Sequence, residues 1–409
     1  MAIPRSLARW ALLAGALAAV LTGCGKTGRQ PSSPGGGPAK QLAPVQEQGA
    51  VSVATRNTTR LGGAEAAADA AAVARAVYPG LTADTRPKAV VVADENDWPA
   101  ALAAASLASA PVGAPLLYSD AGSLPTVSRQ TLEAMHPTGL PALGNAQVIS
   151  IGANSDLPSG LLVRQVPTAE AAASAATIAR LRETASGSPT RQVIVLAAQA
   201  PRALQMPAAA LAAESGAPIL FVTPSRMPAP TSALLRSLRH PAIYVVDAAS
   251  VGAHTLALLG HYGHVTIVSG GQGEAADPVD NAIEVSRFTD GTFGWGVKEP
   301  GHGLVFANQT RTLDAPAAAP LSASGDYGPL LLLERPDEVP TALAAYLGDI
   351  QPAYTSAPQF SPVRGVYNHG WLIGDESAIS SVTQAELDSL LEISPRRQSP
   401  EEAAVTQAE

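Results

Sequence analysis

One phrase, written three times, constrains this chain more than any other feature. "GAPLLYS" starts at Gly113, "GAPILFV" at Gly216 and "YGPLLLL" at Tyr327. Each is a short apolar run introduced by Gly and Pro, which reads as a buried strand bounded by a turn. The phrase travels with companions. Upstream stand "AVVVAD" from Ala89, "QVIVLA" from Gln192 and "GLVFAN" from Gly303. Between the two runs lie Ala-rich stretches: "WPAALAAASLASA", "ALQMPAAALAAES" and "DAPAAAPLSAS". Downstream come an amphipathic segment and a last apolar run: "AQVISIGANS", "AIYVVDAAS" and "HGWLIGDES". Gly113 and Gly216 are 103 residues apart, and Gly216 and Gly328 are 112 apart. Val90 and Ile194 are separated by 104, and Ile194 and Leu304 by 110. Ordered elements at matched spacing are the mark of an internal repeat.

Within each copy, strands alternate with helices, and the strands are continuous apolar runs without in–out alternation. That pattern implies a parallel sheet covered on both faces. The expected fold class is therefore α/β: three tandem parallel-sheet α/β sandwich repeats, over residues 51–165, 166–272 and 273–394. Ala-rich helices suit close approach at little side-chain entropy cost. A further helix is expected ahead of each copy, from Thr58, Thr168 and Asp277.

The N-terminus, "MAIPRSLARWALLAGALAAVLTGC", has Arg5 and Arg9 before an uncharged apolar run. This is the layout of a secretory signal over residues 1–23, too short to span a membrane comfortably. It ends at Leu21-Thr22-Gly23-Cys24, and Cys24 is the only cysteine. The segment resembles a bacterial lipobox, which implies lipidation of Cys24 and a place on the outer face of the cytoplasmic membrane, facing the wall. Residues 24–50, rich in Gly, Pro, Ser and Gln, read as a flexible tether. Residues 395–409 read as a disordered tail.

Hydrophobic residues make up 46% of the 409 and charged residues 15%, so a large buried core is within reach. The net charge is −8, or 24 − 34 = −10 once residues 1–23 are removed. With no basic run, nucleic acid is excluded as a partner. Richness in Ala, Gly, Pro and Arg over Lys is compatible with a GC-rich bacterium and an actinobacterial envelope.

The ordered repeats resemble the type 2 cell wall binding repeat family. The resemblance rests on Arg60-Leu61-Gly62-Gly63 and the Ala-rich helix after it, on the Pro-Leu-Leu strands, and on "WLIGDESAISSV" from Trp371 to Val382. It covers about Val51 to Ile393. It implies a pseudo-threefold arrangement of three units and a non-catalytic binding role toward a cell wall polysaccharide or secondary wall polymer. The chain departs from the family pattern in places. The helix-motif Asp is present as Asp314, but Ala100 and Leu204 replace it in the other copies.

No catalytic constellation stands out. Ser377 lacks a Gly-x-Ser-x-Gly context. His254, His261 and His264 have no Cys and no close acid to complete a metal site. The Gly-rich "SGGQGEAADP" lacks dinucleotide and P-loop spacing. No cofactor, metal or catalytic residue is therefore expected. Ligands of open α/β sheets bind outside the carboxyl ends of the strands. The candidate binding residues there are Asn96, Trp98, Asn308, Arg311, Asp314, Asp375, Glu376 and Ser377. Two other functions fit a secreted α/β lipoprotein: the solute-binding component of a transporter, and a scaffold that has lost polymer binding.

Overall fold

The computed structural model describes residues 51–152, 156–271, 277–323, 327–354 and 367–395. The lipidation candidate Cys24, the signal and tether expected over residues 1–50, and residues 396–409 lie outside the described residues.

The described chain opens with β1 (Val51–Ala54), β2 (Thr58–Gly62) and α1 (Ala66–Val77). Then come β3 (Val90–Asp94), α2 (Trp98–Ala104), β4 (Leu116–Ser119), α3 (Thr126–Met135), β5 (Val148–Ile151) and β6 (Val163–Val166). Strands β3 to β6 form a parallel sheet in the order β4-β3-β5-β6. Helices cover both faces, so Val90, Val91, Val92, Leu117 and Val148 are all buried and the strands need no polar side.

The pattern returns in α4 (Ala171–Ser186), β7 (Gln192–Ala197), α5 (Arg202–Gln205), α6 (Pro207–Ser215), β8 (Ile219–Val222) and α7 (Ala229–Ser237). It continues in β9 (Ala242–Val245), α8 (Ala248–Val251), α9 (Ala253–Leu259) and β10 (His264–Ile267), with the parallel order β8-β7-β9-β10. The third unit has α10 (Pro278–Arg287), β11 (Gly303–Asn308), α11 (Asp314–Ser322), β12 (Tyr327–Leu333) and α12 (Thr341–Asp349). β13 (Ala353–Tyr354), β14 (His369–Ile373), α13 (Ser381–Leu391) and β15 (Ser394–Pro395) complete it. The described residues thus form three tandem α/β units. The repeated phrase occupies one position in all three sheets. Leu116 pairs with Val91, Ile219 with Ile194, and Leu331 with Phe306.

Two expectations need correction. The helix expected from Thr58 begins only at Ala66, because Thr58–Gly62 is strand β2. Two β-branched residues and the Gly62-Gly63 pair disfavour a helix there. Moreover, β2 does not belong to the sheet of the unit that follows it. It pairs parallel with β14, and β1 then adds antiparallel to β2, so the third sheet reads β1-β2-β14-β11-β12. Pro395, expected to open the tail, instead lies in β15 and pairs with Tyr354, as Ser394 does with Ala353.

β2 therefore closes a cycle. In the first and second sheets the strand beside β5 or β9 is β6 or β10, which leads into the next unit. In the third sheet that place is taken by β2, drawn from the start of the chain. The helix after each such strand spans a seam: α4 packs on α2 and β8, α10 on α6 and β12, and α1 on α11 and β4. At the middle, the Ala-rich helices α6 and α11 meet each other and the 3-10 turn that extends α2, Ala105–Ala108. Their residues are buried on every side, Pro207–Ala213 in α6 and Asp314–Ser322 in α11. Methyl side chains let three backbones converge where larger ones could not. Ala209→Leu in α6 should therefore overpack the centre and cost about 1–3 kcal/mol. A thermal melt checks this. A variant as stable as the parent would mean the helices are not in close contact.

Candidate functional site

The candidate residues of the third unit gather where the chain closes on itself. Arg60 of β2 is 4% exposed, and its guanidinium reaches into the loop after β14. Nη1 donates to the carbonyls of Gly374 and Asp375, at 3.1 and 2.8 Å. Nη2 donates to the carbonyl of Ile379 at 2.6 Å. Nε and Nη2 both donate to Gln384 Oε1 of α13. Burial lowers the pKa of this arginine, while the charges of Glu376 and Asp375 oppose the shift. Gly62 adopts φ +136, and a Cβ on it would lie 2.1 Å from Asp69 Oδ1 and 2.7 Å from the Gly374 nitrogen. The Arg-x-Gly-Gly turn is thus a closure element: the arginine fastens one strand and the glycine lets the next one in.

A second cluster locks the same seam. Arg311 lies on the turn before α11 and makes ion pairs with Asp69 of α1 and with Asp314, the latter at 3.1 Å. It also donates to the carbonyls of Ala64 and Gly63. Asp69 Oδ1 accepts from the Gly63 nitrogen at 2.7 Å. Both carboxyls are fully buried, at 0 and 1% exposure. Asp314 is held well above the usual carboxylate range, by burial first and the neighbouring Asp69 charge second. Burial also raises Asp69, against the pull of Arg311.

The equivalent seams use the same position with neutral groups. Asp69 follows its helix cap Glu65 by four residues, Ser174 follows Glu170 by four and Asn281 follows Asp277 by four. All three are buried. Ser174 bonds back to the Ala169 backbone. Asn281 accepts from Ser269 and donates to the Leu204 carbonyl across its seam. Of these three equivalent positions, only that of the closing seam carries a charge.

These contacts separate the eight candidates. Trp98 is corrected: it is 3% exposed, its indole donates to Gln205 Oε1 at 2.8 Å, and it offers no ring to a sugar. Asn308 is corrected on the same ground. It is 1% exposed, donates to the Ala378 carbonyl and accepts from Thr310. Arg311 and Asp314 belong to the seam. Asp375 is half-buried and accepts from the Ser377 nitrogen and hydroxyl. Asn96, Glu376 and Ser377 remain exposed. Asn96 is held over the end of β3 by Asp94 and Asp120. Burial raises the pKa of its neighbour Glu95, with the charges of Asp120, Asp94 and Glu65 adding to the effect. The carboxyl ends of the strands around this seam therefore form an acidic surface. Sequence reasoning missed Asp69 and Gln384. Asp69 was visible as a lone acid inside an Ala run, but nothing in the sequence identified its partner.

Two hollows lie at the opposite ends of the strands. A groove of about 840 Å³ runs beside α3 between Arg86, Arg129 and His136, where Arg129 is already paired with Asp156. A cleft of about 360 Å³ lies between the first and second units, lined by Arg182, Arg191, Ser188 and Gly216. Among the described residues no three His, Cys, Asp or Glu side chains are grouped to hold a metal ion, and no helix is long and apolar enough to cross a membrane.

The chain shares its fold with cell wall proteins. Cwp6 from Clostridium difficile superposes with a TM-score of 0.64 at 18% identity, over 82% of this chain and 48% of that one. Cwp8 from Clostridium difficile gives 0.59 at 17%, over 83% and 53%. The chain spans about half the length of these proteins. No family model matches the sequence, and no curated protein does. At such identities the likeness is one of fold. The contacts among α6, α11 and the turn that extends α2 set the three units around a common centre, where a transporter's solute-binding component would show two lobes.

Proposed function

We propose that this protein is a non-catalytic binder of the bacterial cell envelope. Its three α/β units hold a cell wall polysaccharide or secondary wall polymer, and a lipid on Cys24 anchors it to the membrane. The observation that carries this reading is the closed ring of three equivalent units, in a fold similar to those of Cwp6 and Cwp8. A ring of like units presents related surfaces at fixed spacing, so weak contacts add up through effective concentration. The binding side chains are drawn from the exposed candidates Asn96, Glu376 and Ser377 and from the hollows at the opposite strand ends. Arg311 and Asp314 hold the fold instead.

Co-sedimentation of the full chain with purified sacculi, before and after removal of attached polymers, tests the proposal. Binding should depend on the polymer, and Cys24→Ser should move the chain out of the membrane fraction without altering sedimentation. Failure to sediment with walls of its own host would leave the scaffolding role in its place.

A further inference from the structure

Three arginines send their guanidinium groups inward, and they are not equally satisfied. Arg60 makes five hydrogen bonds to protein. Arg311 has two carboxylates and two carbonyls. Arg182 of α4 has one acceptor, the Ala110 carbonyl at 3.1 Å, and its Nε is buried without a partner. Among the described residues no carboxylate forms an ion pair with it. A guanidinium carries five N–H donors, and this half-buried one, open to the cleft on its Nη2 side, is left with most of them unpaired by protein.

The surroundings are arranged around this group. Gly216, the cap of α6 with φ +70, lies directly beneath it, and a Cβ there would come within 1.8 Å of Arg182 Nη2. Arg191 is exposed at the rim of the cleft. The single acid in the lining, Glu183, already accepts from the Thr190 nitrogen. The carboxyl ends of α4 and α6 face the same space. They favour a cation, so any anion must be held by the two arginines themselves. The corresponding seam position is Val77, the last residue of α1, and Thr289 after α10, so the arginine is particular to the seam between the first and second units. A volume of about 360 Å³ lies within the range of small-ligand sites. Planar guanidinium groups recognise carboxylate and phosphate by paired hydrogen bonds.

We propose that this cleft binds a carboxylate or phosphate carried on a sugar-sized group, with Arg182 as its principal ligand and Arg191 closing over it. The inference deepens the wall-binding reading and rests on it for the source of the ligand. It also places the acidic groups of a polymer at the end of the molecule away from the acidic surface described above.

The test is isothermal titration of the full chain at low salt with galacturonate, glycerol 3-phosphate and, as control, uncharged galactose. At least one anion should bind saturably in the millimolar range while galactose does not, and the preferred anion identifies the source. Arg182→Gln should weaken binding about tenfold or more, the loss of a charge-assisted hydrogen bond, and Arg75→Gln, at an exposed position on α1 outside both hollows, should leave it unchanged. Should Arg182→Gln fail to fold by circular dichroism, Arg191→Gln, at an exposed site, should still weaken binding about threefold. Absence of binding by either anion, or equal binding by the parent and the folded arginine variants, overturns the proposal. Sedimentation with sacculi and anion titration are separate readouts. Wall binding without anion binding would therefore refute the cleft alone.

Discussion

Replacing Arg60 by Met should lower the unfolding free energy by about 3–5 kcal/mol. The methionine keeps most of the apolar stem but removes all five donors. The carbonyls of Gly374 and Ile379 and the amide oxygen of Gln384 then lose a partner they cannot exchange for water, and the part-buried carbonyl of Asp375 loses one as well. Each buried acceptor left unsatisfied costs about 1–3 kcal/mol, and partial relaxation of the loop brings the total below the simple sum. The damage should centre on the closing strand, because Leu61 pairs with Ile373 immediately beside the arginine. Urea unfolding gives the size of the loss, and amide exchange should show Arg60, Leu61 and the strand partners losing protection first. A loss under about 1 kcal/mol would put the arginine among ordinary surface positions and remove its role in closure.

The three-unit architecture was legible because it depends on patterns a sequence displays directly. Continuous apolar runs at constant spacing identify covered parallel strands, and "GAPLLYS", "GAPILFV" and "YGPLLLL" all proved to be strands at one place in their sheets. Closure was not legible. "TTRLGG" is a strand because β14 offers it an edge more than 300 residues later, and no local signal records so distant a partner. Burial of the candidate site residues was hidden for the same reason. Trp98, Asn308 and Asp314 follow strand ends, where ligands of α/β proteins usually bind. In a ring, however, some strand ends face a neighbouring unit instead of solvent. Whether a polar side chain lies at a seam or on the surface depends on how the units pack. The same limit hid Arg182: "ARLRE" holds two arginines two positions apart, and only the packing of α4 decides which of them turns inward.

Stability near the closing seam should fall as pH rises from the usual carboxylate range toward neutrality. Asp69 and Asp314 both have native pKa values raised by burial. In the window between the unfolded value and the raised one, the native state therefore holds protons that the unfolded chain has released. Stability then declines with increasing pH, by at most about 1.4 kcal/mol per pH unit for each proton. Glu95 and Glu214, also raised by burial, act in the same sense, and other groups act differently. Asp290, held at about 2, contributes stability that is lost only below the window. His302 and His369, lowered by burial, act in the opposite sense below their usual value. The seam is isolated by difference: Asp314→Asn should flatten the decline relative to the parent. Arg311→Met should be severe at pH 7.5, about 3–5 kcal/mol, because it leaves two facing carboxyls without their cation. At pH 5 the loss should be smaller, since protonation removes the repulsion that Arg311 otherwise neutralises. Urea midpoints of the three proteins at pH 5, 6 and 7.5 give the answer. Equal losses for Arg311→Met at pH 5 and 7.5 would mean that the arginine acts only through its bonds to the Gly63 and Ala64 carbonyls. The two acids would then share no charge with the seam.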